Sequence, residues 1–195
     1  MKKTFILLLV AVFAIAVPVS CRKNEKSATS AVQKKTDTLP APQNRQYIVK
    51  VGDTAPDFEM QLSSGGFMKL SDFKGKLVML QFTASWCGVC RKEMPHIESK
   101  IWQKHKDNPA FALYGIDLDE PADTVAMFRQ TTGVTYPIGL DPGGLIFNLY
   151  AEKGAGVTRN VIIDPQGTII MLTRLYDEKE FAEIVTLIDS KLAGR

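Results

Sequence analysis

Two of the three cysteines in this chain of 195 residues, Cys87 and Cys90, are separated by only two residues. They follow a largely apolar run at residues 77–82, and they open a stretch whose pattern predicts a helix. Thiol–disulfide exchange needs a thiolate at the protein surface and a second thiol close enough to resolve the mixed disulfide. A pair of cysteines in the first turn of a helix supplies both, so this spacing predicts dithiol redox chemistry.

The two cysteines are predicted to have different roles. Cys87, at the helix start, faces unpaired backbone N–H groups and the positive end of the helix dipole, and both favour its thiolate. We therefore assign Cys87 as the attacking nucleophile and Cys90, one turn further in, as the resolving thiol. The alternatives are a structural disulfide and a metal site, but a four-ligand zinc site needs two further ligands. His96 and His105 lie on the same predicted helix without a paired-ligand motif, so we expect no metal and no cofactor.

Neighbouring side chains are candidates for the same site. Trp86 directly precedes the nucleophile, and we expect it to pack beside the disulfide and shield one side of it; the alternative is an ordinary core tryptophan. Glu93 follows Cys90 by three residues, so both occupy nearly one helix face. A partly buried carboxylate there has a raised pKa and can move protons for Cys90, whereas a solvated acid would not. Gln81, a polar residue six positions before Cys87, cannot exchange protons at neutral pH, which leaves Glu93 as the better candidate for proton transfer.

The N-terminus has the pattern of an export signal. Lys2 and Lys3 precede an unbroken apolar run at residues 5–17, and small residues follow it. This run of about 13 residues is too short for the ~20 that span a bilayer as a helix. We therefore interpret residues 1–20 as a cleaved signal peptide.

The third cysteine, Cys21, directly follows this predicted signal. The small residues before it resemble the lipobox of bacterial lipoproteins, although Pro18 stands where that motif usually has leucine. An unpaired exported thiol would be a liability. We therefore predict that Cys21 carries lipid and holds the protein on a membrane surface that faces an oxidising space. The alternative is ordinary cleavage near Ser20, which would leave a stray cysteine.

A change in composition separates a tether from a folded domain. Residues 21–46 are polar, contain no aromatic side chain and cannot bury enough apolar surface to fold, so we predict a flexible tether. Residues 47–195 have the length of one domain. The formal net charge of the whole chain is only +3, which gives no reason to expect a nucleic-acid partner.

Strand and helix patterns predict the organisation of that domain. Their order indicates an α/β fold with a central mixed sheet flanked by helices. Pro95 stands inside the first long helix and should kink it, and Asp177 should cap the last one. The predicted strands cover residues 47–51, 58–62, 67–70, 77–82, 111–118, 161–163 and 169–172, and the predicted helices cover residues 87–106, 122–132, 145–150 and 178–192.

Four segments of the domain resemble one family. The resemblance to TlpA/ResA-like thioredoxin-fold proteins is carried, in chain order, by VGDTAPDF, FKGKLVMLQFTASWCGVCRKEMP, LYGIDLDE and NVIIDPQGTI, and it covers about residues 48–190. It implies a thioredoxin fold with an N-terminal β-hairpin extension and a thiol-disulfide oxidoreductase activity. In that family a glutamate at the position of Glu93 tunes the pKa values of the cysteines, and ordinary thioredoxins carry a buried aspartate where this chain has Gln81.

The resemblance also implies a cellular setting. Members of the family are typically tethered to a membrane, face the periplasm of the bacterial cell envelope and reduce disulfides of envelope proteins, among them apocytochrome c. Their electrons usually come from a membrane-embedded thiol transporter. We therefore expect protein disulfide substrates, a transporter of this kind as electron donor, and a protein that acts as a monomer.

One position departs from the family pattern. Thioredoxin-fold oxidoreductases usually place a cis-proline opposite the CxxC pair, six residues before the aspartate that corresponds to Asp164, and here that position is Thr158. A cis bond before a residue other than proline costs roughly 2.5–4 kcal/mol, against ~0.5–1 kcal/mol before proline. We therefore predict a trans Val157–Thr158 bond, a reshaped substrate ledge at Val157 and Thr158, and a Thr158 hydroxyl that approaches Cys87.

Two other functions fit part of the pattern. A peroxiredoxin, which reduces peroxides directly, carries a threonine three residues before its cysteine and a proline nearby. Here Ala84 occupies that position, Thr83 is one residue away and the proline is absent. A metal chaperone on the same fold uses three residues between its cysteines and a downstream histidine, whereas this chain has two residues there. Thiol–disulfide exchange remains our main prediction.

Overall fold

A short hairpin precedes the main sheet. Its strands, β1 (Glu59–Gln61) and β2 (Phe67–Lys69), pair antiparallel and bury Met60 and Met68, because successive side chains of a strand point to opposite faces. The predicted N-terminal hairpin is therefore confirmed. The computed structural model describes residues 46–193, so the predicted signal peptide, Cys21 and nearly all of the predicted tether lie outside the described residues.

The main sheet has five strands in the order β5-β4-β3-β6-β7. Its central strand, β3 (Leu77–Thr83), is apolar and buried along its whole length, as expected for a strand covered on both faces. The parallel strands β4 (Phe111–Leu118) and β5 (Ile138–Asp141) lie on one side of β3. The antiparallel strands β6 (Arg159–Ile163) and β7 (Ile169–Arg174) lie on the other. The predicted mixed sheet is thus confirmed.

The sequence predicted one kinked helix over residues 87–106, and the structure divides this segment into three parts. α1 (Gly88–Ile97) contains Pro95 and passes into a π-helical turn (Glu98–Trp102) and a last short turn, α2 (Gln103–His105). Proline has no N–H to donate, and its ring crowds the preceding turn. The Pro95 carbonyl also accepts a hydrogen bond from the Ser99 hydroxyl at 2.8 Å. Prolines and π-helical turns are both known sites of helix kinks.

Three helices cover one face of the sheet, and the hairpin together with one short helix covers the other. The further helices are α3 (Ala122–Thr132), α4 (Phe147–Tyr150) and α5 (Glu178–Leu192). Residues of α1, α3 and α5 cluster with Leu77 and Met79, whereas residues of the hairpin and α4 cluster with Val78 and Leu80. This division follows from the alternation of side chains along β3. Within residues 46–193, every helix is too short or too polar to span a bilayer.

The strand predicted at residues 47–51 is wrong. Only Tyr47 makes an isolated antiparallel bridge, with Ala151, and Ile48 is 58% exposed. The apolar residues of this segment therefore do not form the buried face that a strand requires. Tyr47 is anchored through its hydroxyl, which donates to the Thr173 carbonyl at 2.7 Å.

The edge strand β5 was not predicted. It has four residues, and Gly139 inside it has no side chain to contribute to an apolar pattern. A Cβ at Gly139 would overlap the side chain of Met60, so glycine lets the hairpin pack against this strand without a shift of that side chain. Leu62 forms a bridge with Gly139, and the Ser63 N–H donates to the Ile138 carbonyl at 2.9 Å. The end of the hairpin therefore pairs with the edge of the main sheet.

Candidate active site

The predicted cysteine pair lies at the N-terminus of α1, just beyond the carboxyl end of β3. Cys87 is the N-cap of α1, and its sulfur accepts a hydrogen bond from the N–H of Cys90 at 3.1 Å. A disulfide joins the two residues. Cys87 is 8% exposed and Cys90 is 0% exposed, so the small part of this pair that solvent can reach belongs to Cys87. This asymmetry supports the predicted roles of attacking and resolving thiol.

Thr158 brings a hydroxyl against both sulfurs. Its Oγ1 lies 3.1 Å from Sγ of Cys87 and 3.3 Å from Sγ of Cys90. The residue immediately precedes β6, whose first residue, Arg159, is the register partner of Phe82 in β3. Residues 46–193 contain no cis peptide bond, so the predicted trans bond between Val157 and Thr158 is confirmed. The predicted approach of the Thr158 hydroxyl to Cys87 is confirmed by the distance between the two atoms. The contact with Cys90 was not predicted.

The segment predicted as a substrate ledge has buried side chains. Val157 and Thr158 are each 3% exposed, and Val157 belongs to the apolar cluster that also contains both cysteines. The Thr158 carbonyl accepts a hydrogen bond from the N–H of Leu175 at 3.1 Å. Contact of this segment with a substrate stays a prediction.

Glu93 lies inside the protein, with 1% of its surface exposed. Asn160 donates to its Oε1 at 2.6 Å, and Gln81 donates to its Oε2 at 3.4 Å. Burial raises the pKa of Glu93 to about 7, against the opposing effect of these two hydrogen bonds, and the charge of Glu180 adds to the rise. A carboxyl group with this pKa can both give and accept protons at neutral pH.

Amide side chains from two neighbouring strands hold Glu93 in place. Gln81 does not titrate, as expected, but it has a positioning role that was not predicted: its Oε1 accepts a hydrogen bond from the Tyr136 hydroxyl at 2.6 Å. Asn160 also donates to Oγ1 of Thr173 at 3.0 Å. Asn160 and Tyr136 were missed as site residues. The available signal for Asn160 was its position next to the apolar run of β6, where a buried polar group needs partners.

A second buried carboxyl group, that of Asp117, lies near the segment that leads to Cys87. Glu120 accepts hydrogen bonds from both the backbone N–H and the hydroxyl of Ser85. Asp117 in β4 is 0% exposed, and its carboxyl oxygens have no hydrogen-bond partner among the described residues. Burial, together with the charges of Glu120 and Asp141, raises the pKa of Asp117 to about 8. Asp117 is therefore largely protonated at neutral pH, and it was not among the predicted site residues.

Trp86 lies on the surface and not in the core, with 64% of its area exposed. It lines a groove of about 320 Å³ together with Leu118, Phe147 and Ala155. Trp86 directly precedes Cys87 in the chain, but neither cysteine is among the residues that line this partly apolar groove. The role predicted for Trp86 beside the disulfide stays a prediction.

The two histidines of the chain take part in other contacts. The His96 ring stacks on Tyr176 with the ring centroids 5.2 Å apart, and Nε2 of His105 lies 2.7 Å from the Asp189 carboxylate. Among residues 46–193, no group of three or more His, Cys, Asp or Glu side chains is arranged to hold a metal ion.

The fold and this site define a class of protein. A CxxC disulfide opens the first helix after the central strand of a mixed sheet, with Cys87 slightly exposed and Cys90 fully buried. This is the arrangement of a thiol-disulfide oxidoreductase with a thioredoxin fold.

Comparison with known sequences gives the family. The model of the AhpC/TSA family matches residues 51–171. The thiol-disulfide oxidoreductase ResA of Bacillus cereus is 30% identical over 140 residues, which cover 72% of this chain and 79% of the relative. The chain therefore belongs to the AhpC/TSA family and, within it, to the ResA/TlpA-like thiol-disulfide oxidoreductases.

Solved structures agree with this assignment. The solution structure of a candidate protein disulfide isomerase from Bacteroides thetaiotaomicron is 60% identical and matches with a TM-score of 0.74, over 76% of this chain and 93% of the other. A thiol:disulfide interchange protein of the thioredoxin family from Chlorobium tepidum is 26% identical, with a TM-score of 0.59, over 70% and 96% of the two chains. The predicted family, fold and class of enzyme are thereby confirmed.

Proposed function

We propose that this protein is a membrane-tethered reductant of disulfides in proteins of the cell envelope, with apocytochrome c among its candidate substrates. The observation that carries the proposal is the difference in access within the pair, 8% for Cys87 against 0% for Cys90. A nucleophile has to reach the disulfide of a large substrate. A resolving thiol has to be protected from external thiols until the mixed disulfide has formed.

The reaction begins with the reduced pair. The Cys87 thiolate attacks one sulfur of the substrate disulfide, so that a Cys87–substrate bond forms and the other substrate sulfur leaves and takes up a proton. Cys90, as a thiolate, then attacks the Cys87 sulfur; the Cys87–Cys90 disulfide forms, and the first substrate sulfur leaves and takes up the second proton. The substrate gains two electrons and two protons, and the cysteine pair loses them.

Glu93 is the proposed proton acceptor in the second step. Cys90 is buried and has to lose its proton before it can attack. Glu93 follows it by one turn of α1, and a carboxyl group with a pKa of about 7 is deprotonated often enough at neutral pH to accept that proton. The amides of Asn160 and Gln81 hold the carboxylate for this role.

The proposed setting follows from the N-terminal sequence. Lipid on Cys21 would hold the protein on a bacterial membrane facing the periplasm, and residues 21–46 would let the domain move above it. A reductant in an oxidising space needs an outside source of electrons, and we propose a membrane-embedded thiol transporter as this donor. Trp86 and the Val157–Thr158 segment would flank the substrate beside Cys87, and the protein would act as a monomer.

Disulfide reduction by the cysteine variants tests this proposal. The purified protein, supplied with dithiothreitol, is expected to reduce the disulfides of insulin. Cys87→Ser should abolish this activity, because no accessible thiolate remains. Cys90→Ser should accumulate a mixed disulfide that appears on a non-reducing gel and disappears with excess dithiothreitol. Full activity in Cys87→Ser would contradict the proposal.

The same variant identifies substrates. Cys90→Ser, expressed in the native envelope, should become linked to envelope proteins that contain paired cysteines, and these can be identified by mass spectrometry. Hydrogen peroxide serves as the comparison substrate. Rapid peroxide consumption by the reduced protein, with no reduction of insulin, would favour a peroxide reductase instead.

A further inference from the structure

The Thr158 hydroxyl is held close to both reactive sulfurs. Its distances are 3.1 Å to Sγ of Cys87 and 3.3 Å to Sγ of Cys90, and the residue is 3% exposed. The backbone of Thr158 is fixed by its hydrogen bond to Leu175 at 3.1 Å. Threonine is branched at Cβ and has few rotamers, so its Oγ1 stays near the two sulfurs while the O–H bond can still turn from one to the other.

The oxidation state of the pair decides what this hydroxyl can do. A hydroxyl has one hydrogen to donate. The sulfurs of a disulfide carry no charge and are weak acceptors, whereas a thiolate accepts a charge-assisted hydrogen bond. Once the pair is reduced, the Cys87 thiolate has two donors on the atoms already in place, the N–H of Cys90 at 3.1 Å and the hydroxyl of Thr158.

We propose that Thr158 is a catalytic residue whose hydroxyl serves the two thiolates in turn, first that of Cys87 and then that of Cys90. In the reduced enzyme the hydroxyl donates to Cys87. When Cys87 is bonded to substrate it carries no charge, and the hydroxyl rotates to donate to the Cys90 thiolate that must attack next. This assignment rests on the proposed function of Cys87 as nucleophile, and it adds no further electron or proton to the reaction.

The proposal has a thermodynamic consequence. Two electrons and two protons convert the disulfide into the dithiol. A hydrogen-bond donor that binds only thiolates stabilises the reduced pair, which contains the thiolate, and not the disulfide. The hydroxyl therefore makes the pair a stronger oxidant and increases the fraction of Cys87 that is thiolate at neutral pH.

Substitution of Thr158 separates the hydroxyl from the shape of the side chain. Thr158→Val keeps the size and removes the donor, whereas Thr158→Ser keeps the donor. We expect the valine variant to shift the equilibrium with glutathione about tenfold toward the disulfide, which corresponds to a potential about 30 mV more reducing. The midpoint pH for alkylation of Cys87 by iodoacetamide should rise by about one unit. The serine variant should resemble the wild type in both measurements.

Resolution of the mixed disulfide is the second readout. Thr158→Val should release substrate from the mixed disulfide about tenfold more slowly than the wild type, because the Cys90 thiolate has lost its donor. Thr158→Ala is a second variant without the hydroxyl, for use if the valine variant does not fold as judged by circular dichroism. Values equal to wild type for the potential, the alkylation pH and the resolution rate in a folded variant without the hydroxyl would overturn the proposal. That outcome leaves the proposed function intact, whereas activity in Cys87→Ser removes both.

Discussion

Glu93 is held by two amides at unequal distances, Asn160 at 2.6 Å and Gln81 at 3.4 Å. Both donate N–H groups and therefore favour the carboxylate, yet burial outweighs them and raises the pKa to about 7. Cys90 lies one turn away on α1, and a negative charge on either group disfavours a charge on the other. Loss of a proton by Cys90 should therefore go together with uptake of a proton by Glu93.

Replacement of this carboxyl group tests its role at the residue scale. Glu93→Gln keeps the size and the hydrogen-bonding capacity but cannot take up a proton. Wild-type resolution of the mixed disulfide should accelerate as the pH rises through about 7, because the deprotonated form of Glu93 is the acceptor. The variant should be slower by roughly 100-fold and should lack this inflection in stopped-flow measurements between pH 5.5 and 8.5.

A matched variant controls for the change of charge. Glu183 lies on α5 and is exposed, so Glu183→Gln should leave both the rate and its pH profile as in the wild type. A Glu93→Gln protein with the wild-type rate and inflection would show that the proton of Cys90 goes elsewhere.

At the scale of elements, the connection between β3 and α1 is held from two directions. Glu120, which follows β4, accepts both polar hydrogens of Ser85, and the Arg91 side chain in α1 donates to the Ser85 carbonyl at 2.8 Å. Asp117 lies behind Glu120, and two negative carboxylates there would repel each other. A proton on Asp117 removes this repulsion and lets Glu120 keep its hold on the connection.

The proton on Asp117 predicts a pH-dependent stability. Its pKa rises from 3.8 to about 8 on folding, so the folded state binds the proton more tightly. The free energy of unfolding should therefore fall as the pH rises from about 4 to about 8 and then level off, by up to about 1.4 kcal/mol per pH unit from this group. Asp117→Asn should reduce that slope, because an amide at this position carries no charge at any pH. Urea unfolding at pH 5, 7 and 9 measures the difference.

The exposed Asp107 provides the comparison for this experiment. Asp107→Asn should show the wild-type dependence on pH, since this side chain is in water in both states. The assignment of the proton to Asp117 fails if the Asp117→Asn protein has the same slope as the wild type.

At the scale of the whole molecule, the proposed lipid on Cys21 would decide where the domain works. A flexible tether of about 25 residues, as predicted from the sequence of residues 21–46, would give a reach of roughly 25–30 Å from a membrane surface. Cys21→Ser should move the protein from the membrane pellet to the supernatant after ultracentrifugation and abolish labelling with radioactive palmitate. Cys87→Ser should stay in the pellet, since it leaves the anchor untouched. Sedimentation of both variants with the membranes would contradict lipid attachment at Cys21.

The elements that could be predicted from the sequence are those whose structure depends on residues close together in the chain. The apolar run of β3, the helix that starts at Cys87 and the β6–β7 hairpin around Asp164 each have their determinants within a few residues. The partners of Glu93 lie 12 residues away at Gln81 and 67 residues away at Asn160. Such contacts depend on which strands become neighbours in the sheet, and no short pattern contains that information. β5 was not predicted for a related reason. The space beside Gly139 is filled by the side chain of Met60, which belongs to the hairpin and is distant in sequence.

Residues 52–63 meet the main sheet at both of its edges. Leu62 and Ser63 pair with β5, while Gly52 and Asp53 exchange backbone hydrogen bonds with Ile169 at the start of β7, at 2.8 and 2.9 Å. Unpaired backbone groups on an edge strand can recruit strands from other molecules, which leads to aggregation. By pairing with backbone groups at both edges, residues 52–63 should reduce the tendency of the sheet to associate with other molecules. Removal of the chain up to residue 63 would expose those groups at both edges.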